Sequence, residues 1–352
     1  MFTCRGAPVR ALCVALLVLV VHSASAAVTE LEFREPTRPA AGESNEPDVG
    51  RVLDSIVRVR DGLYLVTIQG DCSELLLDEN QDMIDDPLIN DRSRYCSVFS
   101  TAGENGVFMG RNWDNENVGS IMGVLYRPTG GYDSIFFARS IELGFGKDID
   151  LAAIESHAIG ERLLRLPFYS MDGVNEHGLM VAVAGDQTTT VSSKEGRELV
   201  GISFVIRKLL DRTRTVDEAV ALVRDYVPFL LDAKTLAGHL LVADASGASA
   251  VLEHDEDGWL VTRSEEDWQA MSTKRVHGVA EETLREDCWR YDTMCGALAE
   301  AEGRLDWAGS LALLEDCEQK GTTWSIVFSP EGPELWFSVY KEWDSVYHLA
   351  MP

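Results

Sequence analysis

The stretch from residue 96 to residue 114 constrains the chain most. Ser97 to Ser100 and Val107 to Arg111 read as two short strands around a glycine-containing turn. Cys96 stands at the head of the first strand, and Gly110-Arg111-Asn112-Trp113-Asp114 closes the second. Taking Ala102 to Asn105 as the turn sets Thr101 opposite Gly106 and, counting outward, Cys96 opposite Arg111. Opposed residues project from one face of a sheet. The hairpin therefore predicts a guanidinium beside the thiol, with the Asp114 carboxylate just past the strand end, near the Cys96 nitrogen.

That grouping suits one kind of chemistry. A thiol attacks as thiolate, and its ordinary pKa of about 8.5 calls for a base or a neighbouring cation. An α-amino group, with an ordinary pKa of about 7.7 to 8, shuttles protons well near neutrality. If the Tyr95–Cys96 bond is cut, one residue carries both nucleophile and base. Arg111 would favour the thiolate, and Asp114 would hold the new amine by a charge-assisted hydrogen bond. The plainer alternatives are a surface Arg111–Asp114 ion pair and a core cysteine. A Cys–His dyad with His177 or His277 also stays open, but it would leave Arg111 and Asp114 idle. The histidines show no metal-ligand spacing, and no metal or cofactor is implied.

Composition narrows the setting. Arg5 and Arg10, the apolar run Ala11 to Val21 and Ala24-Ser25-Ala26 read as a signal peptide over residues 1–26. The mature chain then begins at Ala27 and is secreted or periplasmic. The apolar run is short for a bilayer span, and no later stretch is long and uncharged enough, so no stable membrane insertion is expected. The net charge of −27 argues against nucleic acid and anionic membranes as partners and reads as a solvated acidic surface. Self-association of copies stays open. Cys72, Cys96, Cys288, Cys295 and Cys317 remain after signal removal. With Cys96 free, four are left for two disulfides in an oxidising compartment. Cys288 and Cys295 lie two turns apart on one predicted helix, roughly 10 Å by helix rise, too far for a bond between them. Each would pair with Cys72 or Cys317; the alternative is four reduced, buried thiols.

Along the chain, Thr29 to Val49 lacks an apolar period and reads as a flexible arm. Ile56 to Arg60 and Leu63 to Ile68 read as a strand hairpin about Asp61-Gly62. Leu75 to Asn90 is an acidic linker. Its Asp78, Asn80 and Asp82 mimic the start of a calcium loop, but Met83 and Ile89 stand where Gly and Glu are required. Val200 to Leu210, Val216 to Val227 and Glu281 to Glu300 have helical spacing. Asp244-Ala245-Ser246-Gly247 reads as a hairpin turn, and Trp324 to Phe328 with Glu334 to Val339 as a last hairpin. Strand hairpins with segregated helices predict an α+β fold. Residues 27–95 form a propeptide or small N-terminal subunit, and residues 96–352 the main domain.

Five motifs in order carry a resemblance. Cys96-Ser97 with Gly110-Arg111-Asn112-Trp113-Asp114 is similar to the cysteine-type N-terminal-nucleophile (Ntn) amidohydrolases, the linear amide hydrolases that include choloylglycine hydrolase, penicillin V acylase, the penicillin acyltransferases, acid ceramidase and N-acylethanolamine acid amidase. Asp172-Gly173-Val174-Asn175-Glu176-His177-Gly178-Leu179 resembles the family's D-G-x-N-E-x-G-L turn and strand. Asp244 to Gly247 with Glu253, Arg290-Tyr291 and Thr322-Thr323-Trp324-Ser325 resemble three later motifs. The resemblance implies a four-layer αββα sandwich, self-cleavage before Cys96, and hydrolysis or acyl transfer at a linear amide of a small N-acyl substrate. It gives Cys96 the nucleophile position, Arg111 the thiol-side arginine, Asp114 the amine-binding aspartate and Arg290 the second pocket arginine. Two departures stand out. Ala270-Met271-Ser272-Thr273-Lys274 lacks the family's oxyanion Asn, so Thr273, Lys274 or a backbone N–H substitutes, since losing an oxyanion donor costs about 3 kcal/mol of transition-state stabilisation. Asp186 and Gln187 are the candidates for a second oxyanion or substrate-side residue, with Asn175 read mainly as a turn former. A catalytically dead binding protein on the same fold is the alternative of a different class.

Overall fold

The structure is a computed structural model that describes residues 27–36, 47–72, 96–115, 119–145, 157–185, 198–229 and 238–352. The segment read as a signal peptide, the linker with its calcium-like Asp78, Asn80 and Asp82, Tyr95 of the expected cleavage, and Asp186 and Gln187 lie outside the described residues.

The Cys96 hairpin is the centre of a seven-stranded sheet. Strands β4 (Ser97–Gly103) and β5 (Gly106–Asp114) are flanked on one side by β15 (Trp268–Met271). On the other side follow β16 (Thr322–Ser329), β17 (Glu334–Val339), β18 (Ser345–Ala350) and β1 (Ala27–Leu31). The second sheet has nine strands in the order β14 (Gly258–Thr262), β13 (Ser249–Asp255), β12 (Gly238–Ala243), β9 (Met180–Gly185), β8 (Asp172–Asn175), β7 (Ser134–Arg139), β6 (Ile121–Arg127), β3 (Leu63–Gln69) and β2 (Val57–Arg60). Their inner faces are packed together: Phe137 of β7 meets Trp324 of β16 and Phe337 of β17 with ring centroids 6.2 and 5.0 Å apart. Helices α6 (Trp289–Glu300) and α7 (Trp307–Asp316) cover the first sheet, and α3 (Ile202–Arg212) and α4 (Val216–Val223) the second. The predicted αββα layering is thus the observed one.

Several local expectations change. The hairpin turn is two residues, Glu104 and Asn105, with Gly103 opposite Gly106 and Val98 opposite Arg111. Counted on, Cys96 falls opposite Trp113 rather than Arg111. A register shift of one would flip every side chain; this shift of two keeps them on the same face, so Arg111 still lies on the face of Cys96, one diagonal away. The predicted helix over Glu281 to Glu300 is two, α5 (Glu281–Asp287) and α6, broken at Cys288 with φ −143° and ψ 101°. Neither Gly nor Pro marks that break. Val216 to Val227 is helical only to Val223, and strand β11 (Tyr226–Phe229) pairs with β10 (Glu198–Gly201). The predicted arm is also partly a strand: Ala27–Leu31 runs parallel to β18.

Among the described residues Cys72, Cys96, Cys288, Cys295 and Cys317 are all free and buried. The layers explain this for Cys72. Cys72 lies on the outer side of the second sheet, its N–H donating to the Tyr126 hydroxyl at 3.3 Å. Cys288, Cys295 and Cys317 belong to the helical layer over the first sheet, and two sheets about 10 Å apart far exceed disulfide reach. Within that layer Cys288 receives the Ser272 hydroxyl and Cys317 points to the Arg290 carbonyl. Burial pushes the thiols of Cys72, Cys295 and Cys317 up to about 12.

Residues 27–72 therefore contribute strands to both sheets, and Leu63, Leu65, Val66 and Ile68 of β3 are fully buried. Burial of such side chains gives about 1.5–3 kcal/mol each. A chain cut at an engineered protease site between residues 73 and 95 should elute as one species in non-denaturing gel filtration, with or without reductant. Separation of the pieces would contradict this account.

Candidate active site

Arg111 is the hub. It is fully buried on the inner face of β5 and forms an ion pair with Asp172, which heads β8 in the opposite sheet. Its Nη2 donates to the Val183 carbonyl at 3.1 Å and lies 3.7 Å from the Cys96 Sγ. The guanidinium also lies over the Trp113 ring, 4.4 Å from its centroid. Trp113 stacks on Trp324 at 5.1 Å, and the Trp324 indole N–H donates to Asp172 Oδ2 at 3.0 Å. The other Asp172 oxygen accepts the Phe137 N–H at 3.2 Å. Full burial pushes the Asp172 carboxyl upward, and Arg111, Trp324 and Phe137 oppose that shift. Gly173 follows because a Cβ there would come within 2.8 Å of the Ile135 carbonyl oxygen.

The other side of Cys96 faces the helical layer. The break at Cys288 starts a new helix at Trp289, and Arg290 in its first turn reaches down to β4. Arg290 Nη1 donates to the Cys96 carbonyl at 2.7 Å and to the Ser97 hydroxyl at 3.0 Å. The same nitrogen is 3.6 Å from Asp114 Oδ2. Asp114 is buried; its Oδ1 accepts the Thr322 hydroxyl at 2.6 Å, and its Oδ2 has no hydrogen-bond partner among the described residues. Burial pushes the Asp114 carboxyl up to about 6, against the Thr322 hydroxyl and the Arg290 and Arg111 cations. One arginine thus approaches Cys96 from between the sheets and the other from the helices, with an under-bonded carboxylate at the second.

The remaining candidates divide. Asn175 is not free to serve an oxyanion: its Nδ2 donates to the carbonyls of Leu210 (2.9 Å) and Thr213 (2.8 Å), and its Oδ1 accepts the His177 and Leu179 N–H groups. Both amide protons are in use holding the turn to α3. Thr273 is buried just beyond β15, and the pairing of Met271 with Val98, carried two residues on, sets it opposite Cys96. Neither dyad histidine serves. His177 sits in the β8–β9 turn against Tyr132, at the opposite end of β8 from Asp172, and His277 bonds Thr262 at 3.0 Å. Asp172 was the residue sequence reasoning missed: it lay inside a motif read as a turn, and only the sheet-to-sheet contact reveals it as the partner of Arg111. A second buried pair, His239 Nδ1 with Glu253 Oε1 at 3.0 Å, also lies on the inner face.

Removing one partner of a buried ion pair costs about 3–5 kcal/mol, so Asp172→Ala should lose that much in urea unfolding; a loss under about 1 kcal/mol would mean that the pair is dispensable. Asp114 makes a pH prediction. Its folded value lies above its ordinary 3.8, so its contribution to stability is complete below about pH 4 and disappears as pH rises through about 6. In thermal melts of the uncut Cys96→Ala chain, Asp114→Asn should gain stability relative to its parent across that window; an unchanged difference from pH 4 to pH 7 would contradict it.

Comparison with known proteins adds the following. The model of a family described as linear amide C-N hydrolases, choloylglycine hydrolase family, matches residues 97–273. No curated protein matches the chain by sequence. Among solved structures, a mutant of conjugated bile acid hydrolase from Clostridium perfringens aligns at 12% identity over 72% of this chain and 92% of its own, with a TM-score of 0.51. Penicillin V acylase from Agrobacterium tumefaciens aligns at 18% identity over 73% of this chain and 86% of its own, with a TM-score of 0.47.

Proposed function

The chain belongs to the linear amide C-N hydrolases of the choloylglycine hydrolase family, and on that premise we propose that it is an exported, self-processing amidohydrolase of N-acyl amides with Cys96 as its nucleophile. The observation that carries this reading is the placement of Cys96 between two buried arginines, with Asp114 Oδ2, which makes no hydrogen bond among the described residues, beside the second.

In the first event the Cys96 sulfur attacks the Tyr95 carbonyl. The Tyr95–Cys96 C–N bond breaks, the nitrogen takes the thiol's proton, and water then hydrolyses the thioester. The product is a free α-amine on Cys96. The open Oδ2 of Asp114 suits it as an acceptor, and a new cation there compensates the carboxylate that burial disfavours. In turnover the thiolate attacks the substrate carbonyl, and the Arg111 guanidinium stabilises the charged sulfur. The α-amine passes the thiol's proton to the leaving amine, and water releases the acid from the thioester. Arg290 holds the Cys96 carbonyl and so orients the residue whose two ends do the chemistry. Thr273 is the candidate oxyanion donor opposite Cys96, with Asp186 or Gln187 as the second. Residues 1–26 direct export, and residues 27–72 stay bound after cleavage.

Mass spectrometry of the purified protein should show a fragment beginning at Cys96, and Cys96→Ala should remain uncut. Normal processing of that variant would end the autocatalytic reading. Processed protein offered a panel of N-acyl amino acids, bile-salt-like conjugates, N-acyl lipids and penicillin V should release amine from at least one; release from none by fully processed protein would sink the proposed activity.

A further inference from the structure

The second buried pair on the inner face has no part in the chemistry described so far. His239 is the second residue of β12 and pairs with Ala184 of β9, as Leu241 pairs with Ala182. Ala182 in turn pairs with Asp172, the partner of Arg111. Alternation therefore puts Asp172, Ala182, Ala184, Leu241 and His239 on one face, the face turned to Cys96. Strand β4 packs across from β9 and β12, and β15 across from β13. Val183, the neighbour of Ala184, accepts from the same Arg111 nitrogen that lies beside the Cys96 sulfur. His239 is thus at the Cys96 end of the sandwich, opposite the small side chain of Ala184.

The imidazole is held in a defined orientation. Glu253 of β13 accepts the Val276 N–H at 2.8 Å and the His277 N–H at 2.6 Å, and meets His239 Nδ1 at 3.0 Å. Burial raises the Glu253 carboxyl, but these hydrogen bonds outweigh it and leave the group below the usual carboxylate range. A carboxylate at Nδ1 accepts the hydrogen bond of an Nδ1–H, and in that neutral tautomer Nε2 is an acceptor. That Nε2 is buried and without a hydrogen-bond partner among the described residues. A buried polar atom left unpaired is costly, and here a ligand group would satisfy it. The donor that every secondary linear amide carries is its N–H.

We propose that His239, oriented by Glu253, is a substrate-binding residue whose Nε2 accepts the N–H of the bound amide, making the enzyme selective for secondary over tertiary amides. This rests on the amidase reading of the same site. The test compares a turned-over N-acyl amide with its N-methyl counterpart in wild-type and His239→Leu protein, both checked for the fragment beginning at Cys96. N-methylation should cost wild type about tenfold or more in kcat/KM, the scale of one hydrogen bond to a buried partner. In His239→Leu that cost should shrink to less than about threefold, while the variant's own loss appears mainly with the secondary amide. An equal N-methyl penalty in both proteins overturns the proposal and leaves the amidase reading intact; absence of turnover in processed wild type overturns both. Should His239→Leu fail to fold, ring ¹⁵N signals of histidine-labelled wild-type protein, already processed to begin at Cys96 and held under saturating amide, decide. The Nε2 signal of one histidine should move with the secondary amide and not with the N-methyl compound, and no such movement overturns the proposal.

Discussion

The Arg111–Asp172 ion pair is the constraint on which the rest of the site depends. It joins the two sheets at the end where Cys96 sits, and it is fully buried. Such a pair is weak evidence for net stability, because desolvating both ions offsets most of their attraction. Its consequence is positional. A guanidinium with one nitrogen on Asp172, another shared between the Val183 carbonyl and the Cys96 sulfur, and its flat face on Trp113 has one arrangement available. The indoles of Trp113 and Trp324 exclude water from it, and the Trp324 N–H satisfies the carboxylate. The thiol therefore meets a fixed positive charge.

The motifs that looked like separate fragments of text turn out to be parts of that arrangement. Asp172 supplies the counter-charge, Gly173 lets β8 lie close to β7, and Asn175 closes the turn that sends the chain back as β9. Thr322 and Trp324 sit on one strand with opposite faces: the threonine holds Asp114 toward the helices, and the tryptophan holds Asp172 between the sheets. Asp244 accepts the Ser246 N–H at 2.9 Å and the Val216 N–H at 2.8 Å, so the Asp-Ala-Ser-Gly hairpin also ties down the start of α4. Arg290 is delivered by a helix break that no Gly or Pro announces.

Much of this was legible in the chain. Alternation and turn residues located the hairpins around Asp61-Gly62, Asp244 to Gly247 and Trp324 to Val339, because strand periodicity and turn chemistry are local. The Cys96 hairpin was misregistered by two residues, and the inference survived because face depends on parity and not on the exact partner. The helix over Glu281 to Glu300 was misread because Cys288 takes an extended conformation that its own propensity does not demand. The expected pairings of Cys72 are excluded for a non-local reason: which layer each thiol joins cannot be read from spacing.

By itself, then, the sequence determined which residues could do chemistry and on which face of a hairpin they stand, since covalent order and the two-residue repeat of a strand suffice for that. Tertiary structure decided who their partners are. Asp172 stands opposite Arg111, Arg290 reaches the Cys96 carbonyl across 194 positions, and Glu253 orients His239. These contacts exist only once two sheets are stacked and helices laid over them, because burial makes a charge or a hydrogen bond seek a partner wherever the packing provides one.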